Sequence, residues 1–500
     1  MTGMSGGGEA WGALLPEALL LLGAIGGLLL GLWTPQRRQA RVRLLATTAA
    51  LGSAAAAVAA LPAPAERIFE GTWVVDATTG VVRIVVALAV AVLVWLVGPS
   101  LAGHPRETEA YVLMLLGAVG TVALAASGDL LLLVAAYLLA SIPMYALAGF
   151  TKDAAGTEAT MKYYLMGAFA GVLLMLGVAA LVLAGGTTGY VELAALLPAA
   201  PPGLLALGVL GVVAGVAFKA GAVPVHFWVP DVTAGTTPAL AAYLTTVPKI
   251  GAVAAAFRLL AEPFAGVPLD VPLLVAVVAA ASMTLGNLAA FSQTDVLRLL
   301  AYSTVSQVGY LLMVVAVAAR TDLAVPALAI YLAGYAVTNI GVFAAVATAP
   351  AERSITGWAA AVRPHRWLVI SLVVCLLGLV GTPPTAVFVG KLAVFAATWD
   401  GAMVWLVVLA AVNTVASLFY YLRLIAAAAG VPWERSGPVR VQPPGAEGTA
   451  TSTATAAATA TATATRLESR ASLRVLHICA AASLALGVAA AAWLAVALPG

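Results

Sequence analysis

The sequence predicts an all-α polytopic membrane protein with about 14 transmembrane helices, on three observations. Of its 500 residues, 63% are hydrophobic and 9% charged, and the mean hydropathy is +1.05. A soluble globular chain is about 45–50% apolar and about 25% charged. The apolar residues fall into runs of the ~20 that a bilayer core demands, and the basic residues gather in alternate loops. So little charge cannot coat a solvated surface. That excludes a secreted enzyme, a nucleic-acid binder and a disordered scaffold.

The runs fall near 12–33, 43–61, 80–98, 110–127, 129–150, 162–185 and 203–222. They continue near 238–260, 271–291, 301–319, 324–348, 367–399, 402–429 and 473–498. The first has no basic residue before it and four arginines after it, the reverse of a signal peptide, so it is expected to remain as a helix. Loops after odd-numbered runs hold seventeen Lys and Arg, and the opposite loops hold only Arg67, Arg83, Arg258 and Arg320. This positive-inside bias predicts an even number of spans and both termini on the non-cytoplasmic side.

The organisation follows from these runs. Residues 1–109 read as a three-helix segment, 110–429 as the core, and 473–500 as a last helix. Between them, 430–472 carries Pro443-Pro444 and an almost pure Thr/Ala tract, the composition of a disordered cytoplasmic linker. Cys375 and Cys479 lie singly, and no paired His or Cys ligands or Gly-rich nucleotide loop occur. No metal or cofactor is expected on this chain.

Seventeen and four leave three of the 24 basic residues, and all three are lysines inside apolar runs: Lys219, Lys249 and Lys391. A charge at the bilayer centre costs about 2.5–3.5 kcal/mol on insertion scales. Prolines accompany each one. Lys219 precedes Pro224, Lys249 follows Pro248, and Lys391 follows Pro383 and Pro384 in a run too long for one straight crossing. Proline breaks the helix ladder, and broken helices bearing ionisable groups near mid-membrane mark ion pathways. Snorkelling is the competing reading for a lone lysine near a helix end, and it does not suit three. The chain has nineteen arginines and five lysines. Lysine gives up its proton on burial far more readily than arginine, so this choice points to titration.

Polar neighbours supply relay candidates. His226 and Asp231 flank the first break, as proton entry or as a structured surface loop. Gln307 and Tyr310 belong to a polar cluster around the ninth and tenth runs, part of which reads as helix–helix hydrogen bonding.

Several strings carry a family resemblance: Phe218-Lys219 through Trp228, Pro230-Asp231-Val232, Pro248-Lys249-Ile250, and Gly381-Thr382-Pro383-Pro384 with Phe388-Val389-Gly390-Lys391. Together with Gly286-Asn287-Leu288, Arg298 to Ser303 and Gly309-Tyr310, they resemble the antiporter-like membrane subunits of respiratory complex I, most closely the subunit N family of bacterial NADH–quinone oxidoreductase. The likeness covers about 110–425.

The resemblance implies two inverted five-helix repeats with broken helices 7 and 12 as counterparts. It places Lys219 and Lys391 in symmetry-related positions, with Lys249 between them, as intramembrane proton carriers. It implies a proton-translocating NADH:quinone oxidoreductase in the bacterial cell membrane. There NADH, FMN, iron–sulfur clusters and quinone sit in partner subunits, none on this chain, and the partners are other membrane subunits. The sequence departs from the family twice. Leu138 stands where a helix-5 glutamate pairs with the helix-7 lysine, and Gln307 stands where a histidine is common. The expected consequence is weakened proton coupling. The alternatives are an Mrp-type sodium/proton antiporter subunit and a structural subunit whose path has decayed.

Overall fold

The computed structural model describes residues 12–431 and 470–497. The linker expected at 430–472 lies, except for its ends, outside the described residues.

Spans 1 to 4 are α1 (Leu15–Trp33), α2 (Ala40–Ala60), α3 (Ala77–Leu101) and α4 (Glu107–Ala126). A hairpin of β1 (Glu66–Ile68) and β2 (Trp73–Val75) joins α2 to α3. Span 5 is interrupted into α5 (Leu130–Leu139) and α6 (Ile142–Ala148). Span 6 is α7 (Ala154–Gly185), followed by the short α8 (Tyr190–Leu196). Span 7 breaks into α9 (Pro202–Ala220) and α10 (Trp228–Gly235). Spans 8 to 11 are α11 (Pro238–Ala261), α12 (Val271–Ser292), α13 (Val296–Ala316) and α14 (Ala324–Val346). The short α15 (Ile355–Val362) precedes span 12, which breaks into α16 (Arg366–Val380) and α17 (Ala386–Asp400). Span 13 is α18 (Val404–Ala429) and span 14 is α19 (Arg470–Ala497).

Among the described residues, thirteen helices are long and apolar enough to cross a membrane, and the α16/α17 pair makes the fourteenth crossing. Their starts are set by short polar caps. Asp76 accepts from Thr79 N at 2.9 Å, Asp295 from Arg298 N at 2.9 Å, and Ser354 from Gly357 N at 3.0 Å. Almost every residue of α11 and α13 is buried, so spans 8 and 10 form the centre of the molecule.

Two inverted repeats are visible in the backbone. Where span 5 begins, Leu130 N donates to Thr188 O and Tyr190 N to Gly128 O, both at 2.9 Å. Where span 10 begins, Val296 N donates to Arg353 O and Ile355 N to Thr294 O, again at 2.9 Å. Each pair ties the first residue of a span to the start of the short helix after the next span. Spans 5 and 10 are five crossings apart, an odd number, so the two motifs lie on opposite membrane faces. The breaks correspond as well. Gly221 (φ 75°) and Gly381 (φ 87°) cap α9 and α16 in the left-handed region that glycine tolerates. A cis X–Pro bond follows each, Val223–Pro224 and Pro383–Pro384.

Candidate functional site

Lys219, Lys249 and Lys391 are all buried, at 1%, 0% and 3% exposure, and none snorkels to a surface. Lys219 ends α9 two residues before its cap glycine, and its Nζ donates to Ala140 O and, at 2.8 Å, to Ser141 Oγ. Those acceptors lie where span 5 is interrupted. The Tyr137 ring centre is 5.6 Å away. Lys249 follows Pro248 within α11 and donates to Thr304 Oγ1 at 2.8 Å. Lys391 reaches back across the second break to Val380 O at 2.9 Å and to Thr414 Oγ1 at 3.4 Å, with its ammonium 4.0 Å from the Tyr310 ring centre. Among the described residues, no ion pair includes any of the three.

The prolines explain part of this geometry. Pro383 and Pro384 lack N–H groups and therefore cannot serve the carbonyls four residues earlier, Leu379 O and Val380 O. Gln307 Nε2 donates to the first at 2.8 Å and Lys391 to the second. At the first break, Phe218 O accepts from Gly221 N at 3.0 Å and also from Trp228 Nε1 at 2.9 Å. Broken helices survive in lipid only when freed carbonyls find such donors.

One helix spans the distance between two of the lysines. Along α13, Ser303, Thr304, Gln307 and Tyr310 recur at helical spacing on one side. Thr304 holds Lys249, while the Tyr310 ring covers Lys391 and its hydroxyl lies 3.0 Å from Thr414. Between them, Ser303 and Tyr421 share a 2.5 Å hydrogen bond, and Gln307 accepts from Tyr331 OH at 2.5 Å. Gln307 and Tyr310, both expected as relays, therefore lie in the polar zone between Lys249 and Lys391. Ser141, Thr304, Tyr331, Thr414 and Tyr421 were not picked out by sequence reasoning. The spacing of Thr304 from Gln307 was a usable signal; nothing local marked the others.

Two expectations need correction. Leu138 does not face Lys219. Its side chain is 41% exposed, and the buried face of α5 carries Leu133, Ala136 and Tyr137 instead. The position turned toward Lys219 is Tyr137, whose ring centre lies 5.6 Å from the amine. Lys219 and Lys391 are not symmetry-related. Lys219 lies two residues before Gly221, whereas Lys391 lies ten after Gly381, and the true counterpart of Lys219 is Leu379. The two relay candidates beside the first break, His226 and Asp231, are held separately. The Asp231 oxygens are taken by Lys162 and Arg298, each at 3.0 Å. His226 is half-buried beside the exposed Pro224, and its Nδ1 has no partner among the described residues.

Fourteen crossings, two broken helices in inverted repeats and three buried amines at the breaks and centre define an antiporter-like membrane subunit. The sequence model of the NADH:quinone oxidoreductase/Mrp antiporter transmembrane family matches residues 127–417. The chain is 54% identical over 413 residues to NADH-quinone oxidoreductase subunit N 1 of Streptomyces griseus, covering 83% of this chain and 87% of that one. It is 49% identical over 426 residues to subunit N of a Mycobacterium species, covering 84% and 90%. A chain of respiratory complex I from Thermus thermophilus superposes with a TM-score of 0.75 at 27% identity, over 97% of this chain and 98% of that one. A chain of the Mrp complex from a Dietzia species shares the fold alone, with a TM-score of 0.76 at 22% identity over 96% of each. The chain belongs to the NADH–quinone oxidoreductase subunit N family.

Proposed function

We propose that this chain moves protons across the bacterial cell membrane as a subunit of an NADH:quinone oxidoreductase, assembled with the other membrane subunits. Electron transfer from NADH through FMN and iron–sulfur clusters to quinone takes place in those partners. The observation that carries the reading is the trio of buried amines, each held by neutral oxygens and, among the described residues, none by a carboxylate. A buried ammonium with only hydroxyl and carbonyl acceptors is costly to keep charged. The same acceptors remain usable by a neutral amine, so each lysine can gain and lose a proton without rebuilding its site. Lys219, Lys249 and Lys391 are the carriers, with Gln307 and Tyr310 between the last two.

The cytoplasmic face is the one holding Lys162, Arg298 and Asp231. On the opposite face the four basic residues each meet an acid: Arg67 with Glu262 (2.9 Å), Arg83 with Glu17 (2.6 Å), Arg258 with Asp76 (2.9 Å) and Arg320 with Asp270 (3.7 Å). The uneven distribution of Lys and Arg between the two faces is what supports termini outside the cytoplasm.

The absence of an acid beside Lys219 favours weak coupling at that end of the path, and in its extreme form a structural subunit. Lys219→Met and Lys391→Met in the assembled complex separate the two. The proposal expects each variant to assemble and oxidise NADH with a lower proton-to-electron ratio. An unchanged ratio in both, with normal assembly, leaves the structural reading.

A further inference from the structure

A carboxylate lies buried at the start of span 4, on the membrane face that holds Lys162. Glu107, the first residue of α4, is 3% exposed and sits under the loop 102–106, whose Ala102, Gly103 and Pro105 are exposed. Arg106 of that loop donates to Phe150 O, just after span 5. Glu107 Oε1 accepts from Tyr111 OH at 2.8 Å and Oε2 from Gly103 N at 3.2 Å. Arg43 lies beside Tyr111, and His104 Nδ1 accepts from Arg106 N at 3.1 Å. Even so, Glu107 joins no ion pair among the described residues. The other two buried carboxylates among those residues have plain structural duties. Glu17 pairs with Arg83, and Asp129 caps α5 through Leu131 N and Leu132 N.

From Glu107 the helix leads inward to Lys219. Tyr111 and Met114 share the Glu107 face of α4 at helical spacing. Met114 O accepts from Tyr243 OH at 2.5 Å, and that hydroxyl borders Gly117 together with Met144. At Gly120 a Cβ would collide with the backbone of Leu139 and Ala140, so α4 packs directly on the interruption of span 5. There Ala140 O and Ser141 Oγ hold the Lys219 amine. The helix from Glu107 to Gly120 is about 20 Å long at 1.5 Å per residue. It carries a titratable group at the surface end and ends beside the lysine's own acceptors.

We propose that Glu107 loads protons from the cytoplasm for Lys219, with the Tyr111 and Tyr243 hydroxyls and water between them as the route. This rests on Lys219 being a proton carrier. A proton from bulk water joins the Glu107 carboxylate. The resulting carboxylic acid passes a proton to the Tyr111 hydroxyl as that hydroxyl gives its own onward, and the chain ends on the neutral Lys219 amine. Only O–H and N–H bonds exchange, no electron moves, and Glu107 returns to its carboxylate. Tyr111 suits both states, since a phenol donates to a carboxylate and accepts from a carboxylic acid. With no ion pair to break, Glu107 can bind and release a proton while its surroundings stay in place. A remote acid also fits a lysine that has none beside it.

The test is the proton-to-electron ratio of the assembled, vesicle-reconstituted complex carrying Glu107→Gln, Lys219→Met or both. Glutamine keeps an acceptor for Tyr111 but carries no acidic proton. Glu107→Gln is expected to lower the ratio to the value of Lys219→Met, and the double variant is expected to match that value. Glu107→Asp, which keeps an acid, is expected to recover part of the loss. A parent-like ratio in Glu107→Gln beside a lowered one in Lys219→Met overturns this proposal alone. So does a double variant lower than Lys219→Met, or Glu107→Asp no better than Glu107→Gln, since either result marks a structural role. Should Glu107→Gln not assemble, Tyr111→Phe is read instead: a lowered ratio is expected, and a parent-like one overturns the proposal. Parent-like ratios in both single variants overturn the Lys219 role on which it rests.

Discussion

Ser141 and Gln307 occupy the same place in the two halves: each lies twelve residues after the aspartate that begins its span, and each contacts the residue two before its half's left-handed glycine. Ser141 receives the Lys219 amine at 2.8 Å, while Gln307 donates to Leu379 O at 2.8 Å. One scaffold contact therefore serves an ionisable group in the first half and a freed peptide in the second. The second half's amine sits beyond the break instead, on Lys391, and takes the neighbouring freed carbonyl, Val380 O.

The first prediction concerns the missing acid. Tyr137→Glu places a carboxylate on the buried face opposite Lys219 and is expected to raise the proton-to-electron ratio of the assembled complex, read with a pH-sensitive dye. Leu138→Glu directs its carboxylate outward from a position that is 41% exposed. It is expected to lower subunit yield, at an insertion cost of about 2–3 kcal/mol, without raising that ratio. A rise in Leu138→Glu and none in Tyr137→Glu contradicts the assignment of faces.

Gln307→Leu leaves Leu379 O without its donor and Tyr331 OH without its acceptor. Unsatisfied buried groups of this kind cost about 1–3 kcal/mol each. The expected result is a lower unfolding temperature of the complex and reduced pumping. Gln307→Glu, which keeps an acceptor for Tyr331, is expected to preserve more of the stability than Leu does.

How much of this could be read from the sequence depends on the range of the forces involved. The crossings were legible because bilayer thickness fixes the length of an apolar run, and all fourteen expected runs correspond to crossings in the structure. The breaks were legible because proline acts on its own backbone. The partners of the lysines were not, since Ser141 and Lys219 are 78 residues apart and Thr304 and Lys249 are 55 apart. The face of Leu138 was misjudged because α5 is apolar at every position, so periodicity does not separate its buried side from its exposed one. Asp231 was grouped with His226 by proximity in sequence, whereas Lys162 and Arg298, 69 and 67 residues away, hold it.

At the opposite membrane face, Asp76 precedes α3, outside the spans. Burial pushes its carboxyl upward, but the Arg258 guanidinium and the Thr79 amide outweigh it and hold the group below its ordinary value of 3.8. A depressed value means the contribution to stability is complete above 3.8 and is lost as pH falls through the lower folded value. Asp76→Asn is expected to cost about 1–3 kcal/mol at neutral pH by leaving Arg258, 4% exposed, with Glu262 as its remaining carboxylate partner. Denaturation curves at pH 7 and below pH ~3 check this, because the difference between variant and parent should shrink in acid.

The last span seals the second break. A Cβ on Gly487 of α19 would overlap the Pro384 carbonyl oxygen and the Thr385 backbone. Nearby, Thr338 and Ser483 lie 3.2 Å apart. Gly487→Val is therefore expected to displace α19 and destabilise the subunit by several kcal/mol (overpacking alone costs about 1–3). Val488→Ala, at a 59% exposed position, is expected to be tolerated. Thermal unfolding of both variants in detergent distinguishes them.

Lys249 bears most directly on the account, since it is wholly buried on the central helix and, among the described residues, its side chain bonds to Thr304. The decisive measurement is the proton-to-electron ratio of the assembled, vesicle-reconstituted complex carrying Lys249→Met. A lowered ratio with intact assembly and NADH oxidation is the predicted result. A ratio equal to that of the parent complex would mean that protons do not pass through this lysine.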